Sequence, residues 1–208
     1  MTTQQKSAIP LSSSQIEQVV RASSRAFYDD PVYRYITPDD KARLGVLPWV
    51  MRACIRYGLL YGEVYTNDAA DGAAIWISPA NTTLTFGQML RMGMLAAPFK
   101  LGWAGCKRMM NVMDCTEKAH KRSAPGRHWY LPILGIEPSR QGKGIGGQLI
   151  QPILARADAE GLPCYLETMN ERNLPFYERH GFKVTVEGQV PKGGPNFWAM
   201  VRVEKPGF

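Results

Sequence analysis

The run Arg140-Gln141-Gly142-Lys143-Gly144-Ile145-Gly146-Gly147 places four glycines within eight residues, between two apolar stretches. Upstream, Trp129 to Ile136 reads as a strand; downstream, Leu149, Ile150, Ile153, Leu154 and Ala157 mark one face of a helix. Glycine has no Cβ, so main-chain N–H groups there can close around an anion, and a helix N-terminus adds partial positive charge. A strand, a glycine turn and a helix in that order predict a cradle for a diphosphate.

Two familiar phosphate motifs fit poorly. Gly142, Gly144 and Gly147 satisfy G-x-G-x-x-G, and Glu167 lies twenty residues past Gly147, as in a dinucleotide fingerprint. In that fold the first glycine ends the strand, whereas Glu137-Pro138-Ser139-Arg140-Gln141 intervenes here. Only about sixty residues follow the glycines, too few for the rest of a doubly wound sheet. A nucleotide P-loop fails because Lys143 is followed by glycine.

The elements that position the turn can be read outward from it. A helix over Gly144–Glu160 is stopped by Gly161-Leu162-Pro163, and a strand over Cys164–Thr168 follows. A short helix covers Leu174 to His180, and strands lie near Phe182–Val190 and Phe197–Val203. Pro132 cannot donate to a ladder, so the strand His128–Glu137 must carry a bulge or broken pairing. Pro152 should bend the long helix. Towards the N-terminus, Ser12 to Phe27 reads as a helix capped by serines, followed by an aromatic turn region from Tyr28 to Tyr35. A second helix spans Asp40 to Tyr61, kinked or divided at Pro48, and strands Glu63–Asn67 and Gly72–Ile77 pair across a turn. Pro79 to Gly126 is Met-rich and Gly-interrupted, long enough to need its own helices and to offer a binding surface. Its methionines read as core packing or, more sharply, as an adaptable apolar wall for a substrate.

Composition excludes several classes. At 208 residues, 45% hydrophobic and 21% charged, the chain is expected to form one globular domain over residues 1–208. Four cysteines without a Cys-x-x-Cys pair read as free thiols. His120, His128 and His180 are scattered, so no metal site is expected. Met1 to Pro10 has one lysine and no apolar core, unlike a signal peptide. The lipophilic stretch Phe86 to Trp103 is broken by Gln88, Arg91 and Lys100 and is too interrupted to span a membrane. The formal net charge of +7 is dispersed rather than gathered in a stripe, the nearest cluster being Lys118, Lys121, Arg122 and Arg127. A basic surface attractive to a polyanionic small molecule is the simpler reading. The expectation is a soluble, cytoplasmic protein with neither nucleic acid nor membrane as partner, monomeric or homodimeric.

From strand to glycine turn the chain resembles the GNAT superfamily of acyl-CoA N-acyltransferases. Their pattern Gln/Arg-x-x-Gly-x-Gly/Ala is matched by Gln141, Gly144 and Gly146. The continuous run from Leu166 through Asn170 and Tyr177 to Gly181-Phe182 is similar to the second signature of the same family. The resemblance is strong over His128 to Arg202, and Pro79 to Gly126 adds almost nothing to it. Within the superfamily the likeness is greatest to puromycin N-acetyltransferase-type members, carried by Leu166–Thr168, Arg172–Gly181 and the turn itself. It implies an α/β (α+β) fold: a mixed, mostly antiparallel central sheet with splayed middle strands, flanked by helices, with a helical insert near residues 79–126 and a cofactor-binding core near 128–203.

The resemblance also implies roles. Acetyl-CoA is expected between the splayed strands, its pantetheine on the backbone of Leu134, Gly135 and Ile136 and on Asn170. Its pyrophosphate is expected on the amides of Gln141, Gly142, Lys143, Gly144, Ile145 and Gly146. An N–H near Leu134 would polarise the thioester carbonyl. Tyr177 is the expected general acid, since a phenol stays protonated at neutral pH and can donate to the departing sulfur. Histone-type members use a carboxylate on the strand before the turn, where Tyr130 stands here, so that role does not carry over. Glu167 is the candidate base or water-positioning group. Tyr28, Asp30, Tyr33, Tyr35, Trp76 and Trp198 are candidate acceptor-wall residues. Cys164 lies in a strand without an adjacent base, which argues for direct attack over a covalent enzyme intermediate. The expected activity is acetyl transfer to a primary amine of a small molecule. The alternatives are a CoA-binding regulatory or degenerate module without catalysis, and a basic nucleic-acid-binding protein.

Overall fold

The structure, a computed structural model, describes residues 8–203; the reading of Met1–Pro10 as no leader lies mostly outside them. Seven strands form one sheet in the order β1-β2-β3-β4-β5-β7-β6. They are β1 (Ile9–Pro10), β2 (Gly62–Thr66), β3 (Gly72–Ile77), β4 (Trp129–Ile136), β5 (Cys164–Thr168), β6 (Lys183–Gln189) and β7 (Asn196–Arg202). Every neighbouring pair is antiparallel except β4–β5, which is parallel. That exception follows from the connection: α6 (Ile145–Glu160) carries the chain back to the start of β5.

Apolar periodicity fixes which helix covers which face. Leu149, Ile150, Ile153, Leu154 and Ala157 of α6 are buried against Trp76, Trp129, Leu131, Leu166 and Met200 of the sheet. On the opposite face, Val19 and Val20 of α1 (Ile16–Ala26) join Leu47, Met51 and Ile55 of α3 (Asp40–Tyr61), packing on Ile75, Ile77 and Ile133. A third cluster sets Val112 and Ala119 of α5 (Ala97–Ser123) on Tyr165, Phe197 and Ala199.

The irregularity expected at Pro132 is present and has a consequence. Ile75 pairs with Ile133 but Ile77 pairs with Tyr130, so β4 holds one extra residue around Leu131–Pro132. The bulge inverts the alternation: Trp129 and Leu131 face α6, and after it Leu134 and Ile136 do, while Tyr130 and Ile133 share the other face.

Other expectations need adjusting. The aromatic turn region contains a helix, α2 (Pro31–Ile36), with Asp30 as N-cap (Oδ1 accepting from Val32 N at 3.0 Å) and proline at its first position. The helices through Pro48 and Pro152 each continue as one element, the imide removing a single main-chain hydrogen bond without ending the helix. The insert forms α4 (Phe86–Met92) and α5, and α7 (Leu174–Arg179) completes the helices.

Candidate active site

The parallel pairing of β4 with β5 covers only Trp129↔Cys164 and Tyr130↔Tyr165. Beyond it β4 runs on to Ile136 and β5 to Thr168 without pairing, leaving main-chain groups of β4 free on that edge. A cavity of about 180 Å³ lies at the divergence, and Asp30, Tyr33, Tyr130, Leu134, Glu167 and Tyr177 all line it. The bulge at Pro132 is also where the pairing stops, so one residue serves both the kink and the wedge.

Glu167, next to last in β5, is half-buried in this cavity. Burial pushes its carboxyl up to about 7, against hydrogen bonds from the Tyr130 and Tyr165 phenols that favour the charged form. Tyr165 Oη donates to Glu167 Oε1 at 2.9 Å. Tyr165 is in turn held by His120, whose ring stacks on it at 4.2 Å between centroids and 9° between planes. The histidines that look scattered in sequence are paired in space: the Nε2 atoms of His120 and His128 lie 2.6 Å apart. His128 Nδ1 sits 2.7 Å from the Gly126 carbonyl, an acceptor only, so His128 Nε2 must accept and His120 Nε2 must donate. Burial lowers both pKa values, that of His120 to about 4, so the pair is neutral at pH 7. Among the described residues no group of three or more His, Cys, Asp or Glu could hold a metal ion.

The raised pKa of Glu167 has a consequence for stability. Between its unfolded pKa and about 7 the folded state holds a proton that the unfolded state has released, so stability falls as pH rises through that window. The penalty is absent below the window and complete above it. Glu167→Gln is therefore expected to raise the melting temperature at pH 8 by several degrees more than at pH 5, checked by calorimetry at both values. Equal shifts would place the carboxyl in an ordinary solvated environment.

Tyr177 is 7% exposed on α7, its ring edge-on to Phe176 and Phe182. Burial, and secondarily the Asp30 carboxylate, push its phenol above the usual range, so it holds its proton at any working pH. Asp30 is pushed up to about 6 by burial, its bond from the Val32 amide opposing the shift. The cavity thus gathers two carboxyl groups that titrate near neutrality and a phenol that does not. Cys164 offers no competing nucleophile: it is fully buried and its thiol is pushed up to about 12.

The glycine turn is open and pre-shaped. Gly142 and Gly144 have φ of +72° and +76°, in the left-handed region, and no atom lies within 4 Å of where a Cβ would stand on either. Gly144 is the N-cap of α6 and supplies no side-chain acceptor, so the first amides of the helix, from Ile145 onward, point out unfilled. Gln141 folds back, Nε2 donating to the Ile136 carbonyl at 3.0 Å, and Lys143 Nζ donates to the Ser139 carbonyl at 3.2 Å. These contacts tie the turn to the end of β4. Gly146 and Gly147 answer a different need: a Cβ would stand 3.3 Å from the Phe176 ring and 2.9 Å from His180 Nε2, respectively. They let α6 approach α7.

Several of the expected site residues do not line this cavity. Trp76 is fully buried in the core beneath α6, because β3 is a central strand covered on both faces. Trp198 is buried on β7, one strand beyond β5, opposite Thr168. Tyr28 borders a separate hollow with Leu44 and Pro48, its ring 4.6 Å from the Arg43 guanidinium. Tyr35 Oη donates to the Pro191 carbonyl at 3.0 Å, away from the cavity. Gly135 is buried, with Phe27 where its Cβ would project. Asn170 Oδ1 accepts from the Arg172 amide at 3.2 Å and so caps the turn after β5; Asn173, not Asn170, lines the cavity. Val112 and Thr116 of the insert also line it, a contribution signalled in sequence only by their spacing of one helical turn.

Over residues 100–184 the chain matches the family model of the acetyltransferase (GNAT) domain. It is 31% identical over 163 residues to an uncharacterized N-acetyltransferase of Schizosaccharomyces pombe, a match covering 76% of this chain and 66% of that protein. It is 34% identical over 65 residues to the L-methionine sulfoximine/L-methionine sulfone acetyltransferase of Pseudomonas aeruginosa, covering 30% of this chain and 37% of the other. The chain spans less than two thirds of the length of these curated relatives. Among solved structures it is similar to a histone acetyltransferase and related acetyltransferase from Corynebacterium glutamicum, with a TM-score of 0.65 at 20% identity over 97% of this chain and 98% of that one. It is also similar to the polyamine N-acetyltransferase of Drosophila melanogaster, with a TM-score of 0.57 at 12% identity over 94% and 98%. At these identities the two structures speak to the fold.

Proposed function

We propose that the chain, which matches the GNAT acetyltransferase domain model over residues 100–184 and an N-acetyltransferase at 31% identity, transfers an acetyl group from acetyl-CoA to the primary amine of a small molecule by direct attack. The observation that carries this reading is the convergence of Glu167 and Tyr177 on one cavity where β4 and β5 part, with the open amide turn of α6 beyond the end of β4. The small-molecule acceptor is supported by the limited volume of that cavity and by the similarity to an L-methionine sulfoximine/L-methionine sulfone acetyltransferase.

Bound acetyl-CoA supplies the activated acyl thioester. The amides of Gly142 to Gly146 suit its diphosphate, because they combine open left-handed turns with a helix N-terminus lacking a side-chain cap. The free edge of β4 around Leu134 suits an extended arm bearing amides, as one strand suits another. Glu167, titrating near 7, accepts a proton from the ammonium of the acceptor directly or through water, leaving a neutral nucleophile. Tyr177 keeps its proton at Oη and can hand it to the leaving sulfur. Phe27, Val112 and Ile133 add apolar wall and exclude water around both groups. The presence of both proton-handling groups in one cavity favours an enzyme over a CoA-binding module without catalysis.

Saturating acetyl-CoA is expected to raise the melting temperature by about 5–10 °C at a hundred times its dissociation constant. A panel of primary amines should then release free thiol, with kcat/KM rising as pH increases through about 7. In Glu167→Gln that rise should vanish and the plateau drop about 10–100-fold. A melting shift without thiol release from any amine would leave a binding module; no shift at all would remove the cofactor reading too.

A further inference from the structure

The first half of the insert leaves large apolar side chains in solvent. Phe99 and Trp103, four residues apart, are 92% and 85% exposed, and Phe86, Leu90, Leu95 and Met110 are exposed in the same segment. Such a run is rarely left uncovered without an interaction partner. Phe99 and Trp103 flank Gly102, whose backbone (φ 64°, ψ 173°) breaks α5 into two helical pieces, so both rings stand at a bend.

Charge is the second, independent property. From Pro79 to Met113 there is no Asp or Glu, against Arg91, Lys100, Lys107 and Arg108. None of these four cations forms an ion pair among the described residues. A two-fold contact between copies would set the patch against itself, bringing both sets of cations together with no carboxylate from the segment to pair them. An acidic protein surface would answer the cations and leave the aromatic rings unmatched. An anionic bilayer answers both: its headgroups pair with Lys and Arg, and Phe and Trp enter the boundary between headgroups and acyl chains.

We propose that α4 and the first half of α5 attach the protein peripherally to anionic lipid surfaces. No helix among the described residues is long and apolar enough to cross a membrane, so the attachment is to the surface. The sequence expectation of no membrane partner rested on the absence of a span, and a surface contact needs none. From Trp103 the second piece of α5 runs to Val112 in the cavity wall, about 14 Å of helix at about 1.5 Å per residue, so docking holds the acceptor cavity close to the lipid.

Co-sedimentation with phosphatidylcholine vesicles, with and without phosphatidylglycerol, tests this. The protein should pellet with the anionic vesicles and be released by salt. A Phe99→Ser/Trp103→Ser double variant should weaken binding at least about tenfold, and each Lys or Arg changed to Gln about fivefold. Phe99 and Trp103 are both exposed and tolerate polar residues, so the melting temperature of the double variant should hold. Failure to pellet with anionic vesicles, or binding indifferent to the double variant, overturns the proposal. So does a dimer in light scattering that the double variant dissociates, which would assign the patch to self-association.

Discussion

Gly144→Asp is expected to weaken acetyl-CoA binding roughly a hundredfold while the protein stays folded. The two effects separate because the residue is costly to change only for the ligand. Gly144 is exposed, and a Cβ there meets nothing within 4 Å. Its φ of +76° costs an L-residue about 1–2 kcal/mol, which aspartate tolerates better than most. A negative charge at the N-terminus of α6 offsets part of that through the helix dipole, by about 0.3–1 kcal/mol. The same charge faces the bound diphosphate. One unit against two at about 5 Å, at an effective dielectric near 40, repels by about 3 kcal/mol, or about 150-fold. Gly144→Ala carries the backbone cost without the charge and should lose less than about tenfold. Equilibrium binding of acetyl-CoA, with melting curves of the free variants, checks all of this. Tight binding by the aspartate variant would mean the diphosphate lies away from α6, and the proposed cofactor site would go with it.

How far the sequence foretells this site depends on whether the signal is local. The glycine turn is legible because left-handed backbone and a helix start leave a mark in consecutive residues: Gly142 and Gly144 stand in left-handed backbone where the sequence places a turn opening α6. Pro132 is legible for the same reason, since a missing donor inside an apolar strand has few accommodations. The strands from β2 to β7 fall within a residue or two of their expected bounds, because each is an apolar run bounded by turn residues. The lining of the cavity was hidden because it depends on which strand is central and which way a helix turns. Trp76 and Trp198 carry aromatic rings suited to recognition, yet both point into packed interior. Val112 and Thr116 look unremarkable in a Met-rich helix but stand over the cavity. The pairing of His120 with His128 spans eight residues and the end of a helix, and no spacing rule joins them. Asn170 and Asn173 show the finest limit: both lie in the same turn, and only the cap taken by Asn170 decides which one reaches the cavity.

Tyr177→Phe is expected to reduce kcat by about 10²–10³ with acetyl-CoA affinity changed less than about twofold. The substitution removes one oxygen and keeps the ring, whose edge-on contacts with Phe176 and Phe182 hold α7 against the sheet. Among the described residues no hydrogen bond of the Tyr177 hydroxyl supports the fold, so the melting temperature should barely move. Specificity of the effect comes from the pH profile. Burial and the nearby Asp30 carboxylate keep the phenol protonated throughout the working range, so its loss should lower the whole curve without moving its limb. The rise through about 7 belongs to Glu167 and should survive in the phenylalanine variant, while Glu167→Gln should do the reverse and flatten the limb. Two variants with complementary signatures distinguish a proton donor from a residue that only shapes the cavity, since a purely steric role would perturb KM and leave the plateau of kcat intact. If Tyr177→Phe turns over at the wild-type rate, water must protonate the leaving sulfur, and the buried phenol would be there for packing.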